Sequence, residues 1–152
     1  NNIEPSQHLM VYDVLRAYDM LKNAPFVDSD RIAIVGESLG GRIGIIAAAI
    51  DRNIEGVIAI STSGYGKQSN LAMEGKFMAS IDPDWYIGKI SPRKIVMFHS
   101  KSDTVIPFAQ AQNTFSFASE PKEFIEMPSV CNHGQCMEMY EKLFEKLDEM
   151  TQ

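Results

Sequence analysis

A serine between two glycines, Ser38, is the first residue of this chain whose surroundings predict chemistry, and it lies in the segment GESLG of residues 36–40. The residues before it, 31–35, are largely apolar and rich in β-branched side chains, which is typical of a parallel strand covered on both faces. The residues after it, 39–50, are rich in alanine and predict a helix. Ser38 therefore stands at a tight corner between a strand and a helix.

Such a corner is typical of a nucleophile. A strand that turns into a helix within two or three residues holds the serine in a strained backbone conformation, with its hydroxyl above the sheet. Gly36 and Gly40 remove side chains that would collide where strand and helix pass. The N–H of Leu39 falls in the first helical turn, where it has no intrahelical acceptor and can stabilise an oxyanion. The alternative is a glycine-rich turn in which the serine has no role.

Two further polar loops follow predicted strands later in the chain. Residues 94–99, KIVMFH, predict a strand with Asp103 in the loop after it, and residues 123–127 predict a strand with His133 in its loop. Because the carboxyl ends of parallel strands meet at one edge of a sheet, Ser38, Asp103 and His133 can meet above that edge. A serine, a histidine and a carboxylate in one place are the residues of nucleophilic acyl transfer.

The elements that position these loops predict an α/β fold in one domain over residues 1–152. We expect helices at about residues 7–23, 39–50, 107–118 and 135–150, the first capped by Ser6 and the third with Pro107 in its first turn. We expect strands at residues 31–35, 56–61, 94–99 and 123–127. Because every long loop leaves the carboxyl end of a strand, the prediction is a parallel sheet of about four strands flanked by helices.

The segment of residues 67–90 is too long for a simple connection between the second and third strands. Its weak helical pattern and its aromatic side chains predict a small cap over the site, although a satellite core under a loop is an open alternative. The candidates for substrate binding in this segment and near Ser38 are Glu37, Tyr65, Met73, Phe77, Met78 and Trp85.

The chain resembles the C-terminal catalytic half of the α/β-hydrolase fold over most of residues 7–150. The resemblance rests on GESLGG around Ser38, HSKSDTVIP around Asp103 and CNHG around His133. It is nearest to small esterases and to dienelactone-hydrolase-like or acyl-peptidase-like members. Because dienelactone hydrolases typically use a cysteine nucleophile, Ser38 favours esterase chemistry.

This resemblance implies a serine hydrolase that cleaves a carboxylic ester or thioester through an acyl-enzyme. Ser38 would attack the acyl carbon, His133 would remove and return the proton, and Asp103 would orient the imidazole. We expect a small-molecule ester substrate and no dissociable cofactor. Two alternatives stay open: a non-catalytic α/β-hydrolase-like domain that binds a small molecule or a partner, and a peptidase of the acyl-peptidase type.

Other titratable side chains are expected to have structural roles. Asp82 and Asp84 are interpreted as solvated turn residues, and His99 as a structural histidine. Glu37 can tune the pocket, stabilise the histidinium or make a local hydrogen bond. Cys131, His133 and Cys136 would make a set of zinc ligands, but a closed structural zinc site needs four. No metal is therefore expected.

Composition excludes several other functions. The chain has 14 Lys plus Arg against 20 Asp plus Glu, a net charge of -6, which predicts no nucleic-acid partner. No apolar run is long enough for a membrane span, and residues 1–10 do not resemble a signal peptide. Two cysteines make no disulfide framework, which agrees with a reducing compartment. We therefore expect a cytoplasmic protein.

The predicted strand of residues 31–35 would lie at an edge of the sheet. It has no proline, lysine or inward charge of the kind that protects an edge strand against mispairing. We therefore expect this edge to be covered, either by an N-terminal portion of the protein that is missing from this chain or by a second copy in a homodimer.

Overall fold

The computed structural model describes residues 5–67 and 73–152, and the side chains of Met73 and Glu74 lie outside the description. Its sheet has four parallel strands in the order β1-β2-β3-β4: β1 (Ile34–Glu37), β2 (Gly56–Ile60), β3 (Lys94–Ser100) and β4 (Lys122–Met127). The α-helices are α1 (Ser6–Lys22), α2 (Leu39–Ile50), α3 (Met73–Ile81), α4 (Phe108–Ser116) and α5 (Tyr140–Met150). The predicted fold class is confirmed.

The central strand β2 shows why the sheet is parallel and covered on both faces. All of its residues are buried, and alternate side chains enter different clusters. Val57 and Ala59 pack with residues of α1, α2 and α4, whereas Ile58 and Ile60 pack with residues of α5. Because both faces bury apolar side chains, the strand is a continuous apolar run instead of an alternating one.

Strand β1 begins and ends later than predicted, at Ile34 and Glu37 instead of at residues 31 and 35. Its pairing with β2 runs from Ile34 opposite Val57 to Glu37 opposite Ile60, which is the last residue of β2. Gly36 is therefore a strand residue. The whole change of direction from strand to helix falls on Ser38.

The glycines around this corner differ in how much space there is for a side chain at each position. A Cβ on Gly36 would lie 2.4 Å from the carbonyl oxygen of Gly40, and a Cβ on Gly41 would lie 2.8 Å from Cγ2 of Thr62. A Cβ on Gly40 would meet nothing within 4 Å. The prediction that Gly40 prevents a collision was therefore wrong, and Gly36 and Gly41 are the glycines that close packing requires.

Three predicted helix starts were also wrong by small amounts. Pro5 precedes α1 as its cap, and Ser6, the first helical residue, makes no capping bond because its hydroxyl donates to Gln7. Pro107 is the cap of α4 instead of a residue of its first turn. Helix α5 starts at Tyr140 because the residues before it form a loop and a short 3-10 turn, Met137–Met139.

The described part of the segment between β2 and β3 contains α3 and two 3-10 turns, Pro83–Trp85 and Ile87–Lys89. Residues 68–72 of the predicted cap lie outside the described residues. Ile87 and Ile90 are fully buried in the main core. The end of this segment is therefore part of the same core that α1 and α2 cover.

Candidate active site

Ser38 is held at the corner by hydrogen bonds of its backbone N–H and its backbone carbonyl. Its backbone has φ 52° and ψ -117°, a conformation that non-glycine residues rarely adopt. Its N–H donates to the carbonyl of Ile60 over 2.8 Å, and its carbonyl accepts the hydroxyl of Thr62 over 2.7 Å. Strand β2 and the loop after it therefore keep Ser38 in this strained conformation.

The three residues predicted to meet above the sheet form one chain of hydrogen bonds. Nε2 of His133 lies 3.2 Å from Oγ of Ser38, and Nδ1 of His133 lies 2.9 Å from Oδ2 of Asp103. A carboxylate can only accept a hydrogen bond, so Nδ1 carries a proton. In the neutral imidazole, Nε2 is then free to accept the proton of the Ser38 hydroxyl.

Asp103 is a buried carboxylate with its acceptor positions filled. Oδ1 accepts the backbone N–H groups of Val105 and Ile106, each over 2.8 Å, while Oδ2 faces His133. Burial by itself would raise the pKa of Asp103, but the Ile106 N–H, the His133 imidazole and the Val105 N–H outweigh it and lower that pKa. Asp103 is therefore ionised at neutral pH.

A second histidine, His99, lies on the other side of Asp103. It is fully buried, and its Nε2 is 2.9 Å from the carbonyl of Ile106 and 3.4 Å from Oδ2 of Asp103. Because the Ile106 carbonyl can only accept, Nε2 of His99 carries the proton. His99 thus ties the loop after β3 to the end of that strand.

The loop of His133 is bonded at the residues on either side of the imidazole. Oδ1 of Asn132 accepts the N–H of Thr104 over 3.0 Å. The N–H of Gly134 donates to Oγ of Ser61 over 3.0 Å, and the N–H of Gln135 donates to Oε2 of Glu37 over 3.0 Å. The roles of Ser61, Thr104 and Asn132 were not predicted from the sequence. No motif signals them, because these bonds join loops that are far apart in the chain.

Cys131 and Cys136 form a disulfide, which corrects the expectation of two unpaired cysteines. The sulfur atoms meet because the loop of His133 turns back on itself between them. The disulfide also removes the thiolates from the zinc set considered for Cys131, His133 and Cys136. Among the residues that the structure describes, no cluster of three His, Cys, Asp or Glu side chains could hold a metal ion.

The residues predicted to bind substrate have several different surroundings. Glu37 contacts the loop of His133, as above. The hydroxyl of Tyr65 accepts a hydrogen bond from Arg42 over 2.7 Å, and its ring stacks on that guanidinium. Phe77 lies against His8 of α1, and Trp85 lies near the ammonium of Lys67.

Asp82 and Asp84 are buried, so the prediction that they are solvated turn residues was wrong. Asp82 accepts the N–H groups of Tyr65 and Lys67, and Asp84 accepts the N–H of Gly66 over 2.8 Å. The two carboxylates thus replace water as acceptors for the loop after β2. The pKa of Asp84 is raised, because burial outweighs the hydrogen bonds from Thr114 and Gly66 that lower it.

The backbone at the start of α2 lies beside Ser38. Leu39 is the first residue of the helix, so its N–H precedes any intrahelical acceptor and lies at the positive end of the helix dipole. An apolar groove of about 390 Å³ adjoins this point and runs along the free edge of β1, lined in part by Met10, Val35 and Leu39. None of the helices in the described ranges has both the length and the apolar character needed to cross a membrane.

The parallel sheet flanked by helices, with polar loops after β1, β3 and β4, has the α/β-hydrolase fold. The chain belongs to the BAAT / acyl-CoA thioester hydrolase C-terminal family, whose sequence model matches residues 15–139.

Relatives with similar sequences are roughly twice as long. Proteins called uncharacterized protein YfhR in Escherichia coli strain K12 and Salmonella typhi are 29% and 28% identical to the chain over 130 and 140 residues. Each match covers 82% of this chain, but 46% and 48% of the respective relative. The chain therefore spans about half the length of the curated relatives it matches.

Solved structures share the fold at low sequence identity. The acetyl xylan esterase from Paenibacillus sp. R4 has a TM-score of 0.78 and 16% identity, with 91% of this chain and 51% of the esterase covered. The α/β hydrolase GrgF from Penicillium sp. sh18 has a TM-score of 0.76 and 15% identity, with 95% and 72% covered. At these identities the likeness shows the fold.

Proposed function

We propose that this chain is a serine hydrolase that cleaves a carboxylic ester or thioester through an acyl-enzyme. The observation that carries the proposal is the hydrogen-bonded order Ser38, His133, Asp103, with heavy-atom distances of 3.2 and 2.9 Å. These distances are within reach of proton transfer between a nucleophile and its base. Membership of a thioester hydrolase family and the fold of known esterases agree with it.

In the first half of the reaction, Oγ of Ser38 attacks the acyl carbon while Nε2 of His133 takes the hydroxyl proton. The carbonyl π electrons move to oxygen, and the backbone N–H of Leu39 donates to that oxyanion. When the tetrahedral intermediate collapses, the bond to the leaving oxygen or sulfur breaks and His133 protonates the leaving group. The products of this half-reaction are an alcohol or thiol and an ester on Ser38.

In the second half, water replaces Ser38 as the nucleophile. Nε2 of His133 removes a proton from water as the oxygen attacks the acyl carbon, then returns the proton to Oγ as Ser38 leaves. Asp103 keeps Nδ1 protonated throughout and stabilises the imidazolium, so it needs to be ionised but does not itself accept a proton. The lowered pKa of Asp103 agrees with this role.

The proposed class of substrate is supported by the chemistry and by the family. An acyl-enzyme mechanism serves oxygen esters and thioesters alike, and the family name describes thioester hydrolysis. We propose a small-molecule ester or thioester. The parts of Glu37, Tyr65, Phe77 and Trp85 in its binding, and the cap of residues 67–90, stay predictions.

The test of the proposed function is turnover of a short-chain p-nitrophenyl ester and of a short acyl-CoA thioester by the full-length protein. We expect hydrolysis of at least one, with loss of about 10⁶-fold in kcat for Ser38→Ala. Ser29→Ala, which removes a hydroxyl from a half-buried turn residue before β1, is the matched control and should keep full activity. Equal turnover by the protein and Ser38→Ala would refute the proposal.

We also propose that the free edge of β1 is covered by a further strand of the same polypeptide. Val35 is 40% exposed at this edge and lines the apolar groove, and the relatives have about as much chain again outside the match. Protection of the outward β1 amides from hydrogen exchange in a monomeric full-length protein would support this. A dimer that Val35→Lys dissociates would instead support a second copy as the cover.

The cytoplasmic location also stays a prediction. It rested partly on unpaired cysteines, and the disulfide of Cys131 with Cys136 weighs against it, because disulfides persist mainly in oxidising compartments. Fractionation of the source cells, followed by detection of the protein, tests the location directly.

A further inference from the structure

The residues directly after His133 are held by side chains from two different strand ends. Glu37, the last residue of β1, accepts the N–H of Gln135. Ser61, which directly follows β2, accepts the N–H of Gly134. Two consecutive amides are thus bonded to two neighbouring strands, and one of these strands leads directly into Ser38.

Gly134 fits closely between these two acceptors. Its φ is +95°, a conformation that favours glycine, and a Cβ there would lie 2.8 Å from Oε1 of Glu37. The Glu37 carboxylate therefore occupies the space where a side chain would be. The Glu37 carboxylate thus packs against Gly134 and also accepts the N–H of Gln135, so it contacts the loop at two consecutive residues.

The bond to Ser61 has a different environment. Ser61 is fully buried and itself has φ 46°, and its N–H donates to the carbonyl of Phe98 in β3. Its hydroxyl is the acceptor for the Gly134 N–H in the interior, where an unpaired amide is costly. Ser61 therefore fixes the depth of the loop, whereas Glu37 fixes its position beside Ser38.

We propose that Glu37 and Ser61 are positioning residues that set the distance between His133 and Ser38. Their hydrogen bonds go to the backbone N–H groups of Gly134 and Gln135, so they act through that backbone. Glu37 is adjacent to Ser38 in the chain, so its bond to Gln135 couples the nucleophile to the loop of its base directly. This inference rests on the proposed function for its kinetic consequence, but its structural part can be measured without activity.

The kinetic test compares Glu37→Ala with Glu37→Gln, since the amide oxygen of glutamine can still accept the Gln135 N–H. We expect kcat to fall about 10–100-fold in Glu37→Ala with little change in KM, because a base displaced by a fraction of an ångström affects the transition state more than binding. Glu37→Gln should restore most of this loss. Glu126→Ala, at the exposed position of β4, is the matched control and should match the unmodified protein.

The structural test is amide hydrogen exchange measured by NMR at Gly134 and Gln135. Glu37→Ala should speed exchange at Gln135, Ser61→Ala should speed it at Gly134, and Glu37→Gln should leave both slow. If Ser61→Ala does not fold, the exchange rates of Gln135 in the two Glu37 variants still test the proposal. A merely structural residue would lower stability without this selective effect on adjacent amides and on kcat.

The outcomes separate this inference from the proposed function. Unchanged kcat and unchanged exchange in Glu37→Ala would overturn the inference while leaving an active serine hydrolase. No Ser38-dependent turnover in the unmodified protein would overturn the function, and faster Gln135 exchange in Glu37→Ala would still support the loop-holding role. Equal loss of kcat in Glu37→Ala and Glu37→Gln would overturn the hydrogen-bond explanation.

Discussion

Nδ1 of His133 lies 2.9 Å from Oδ2 of Asp103, and the two residues come from loops that follow different strands. Asp103 has its other oxygen bonded to the N–H groups of Val105 and Ile106. The carboxylate therefore has a fixed direction and determines which nitrogen of His133 keeps its proton.

Asp103→Asn should lower kcat by about 10⁴-fold, the size of effect expected when the acid of a triad is replaced by an amide. The amide can donate to Nδ1 and so favours the wrong tautomer of His133. Steady-state hydrolysis of the ester or thioester measures the effect. Asp148→Asn, on the exposed surface of α5, controls for loss of a negative charge and should be fully active. A loss below tenfold in Asp103→Asn would contradict this role.

Gly36→Ala should destabilise the fold by about 2–3 kcal/mol, since its Cβ would lie 2.4 Å from a backbone oxygen that cannot move without shifting the helix. Gly40→Ala is the matched control in the same segment. Its Cβ meets nothing within 4 Å, so we expect a change below about 1 kcal/mol. Urea unfolding gives both free energies. Equal effects at the two positions would show that the corner is not packed as described.

Asp84 should make stability depend on pH in an unusual direction. Burial raises its folded-state pKa above the unfolded value, so the folded protein binds the proton more tightly. The contribution of Asp84 to the free energy of unfolding therefore decreases as pH rises from about 3.9 through the folded pKa. The stability of Asp84→Asn relative to the unmodified protein should rise between pH 4 and pH 7.

Urea unfolding of both proteins at several pH values measures this difference in stability. Because the two proteins share all other carboxylates, the contribution of those groups cancels in the difference. Asp148→Asn, at an exposed position, is the control for removal of a carboxylate. A constant difference for Asp84→Asn would mean that Asp84 has an ordinary pKa in the folded protein.

The disulfide should stabilise the loop of His133. For so short a closed loop the chain-entropy model gives about 2 kcal/mol. We expect reductant to lower the Tm of the unmodified protein and to lower kcat, because His133 lies between the two cysteines. The Cys131→Ala/Cys136→Ala double variant should resemble the reduced protein and be insensitive to reductant. Two free thiols in the protein purified without reductant would contradict the pairing.

The sheet could be predicted because its signals are local. Short apolar runs in the sequence predicted most of the strands, and the polar loops after them predicted that the strands are parallel. In the structure the four strands lie side by side in chain order. Strand ends were less predictable: β1 extends to Glu37 because Glu37 lies opposite Ile60, the last residue of β2, and the sequence of β1 alone does not show this pairing. Gly36 belongs to the strand because it pairs with Ala59 of β2, although glycine is a turn-favouring residue.

The candidate site was predictable at the residues with motifs and not at their neighbours. Ser38, Asp103 and His133 stand in recognisable segments, whereas Ser61 and Asn132 act through contacts between distant loops. Asp82 and Asp84 were misjudged because their charge predicts exposure, yet buried N–H groups of the loop after β2 compensate for their burial. The disulfide was missed because two cysteines alone do not predict that they meet.

The most direct measurement of the central claim is intact-protein mass spectrometry after exposure to a fluorophosphonate, followed by peptide mapping. An activated serine attacks the phosphorus and displaces fluoride, so the proposed function predicts one adduct, on Ser38. Ser38→Ala should carry none, and Asp103→Asn should react far more slowly. No adduct on the unmodified protein, or an adduct on a residue other than Ser38, would contradict the assignment of Ser38 as the nucleophile.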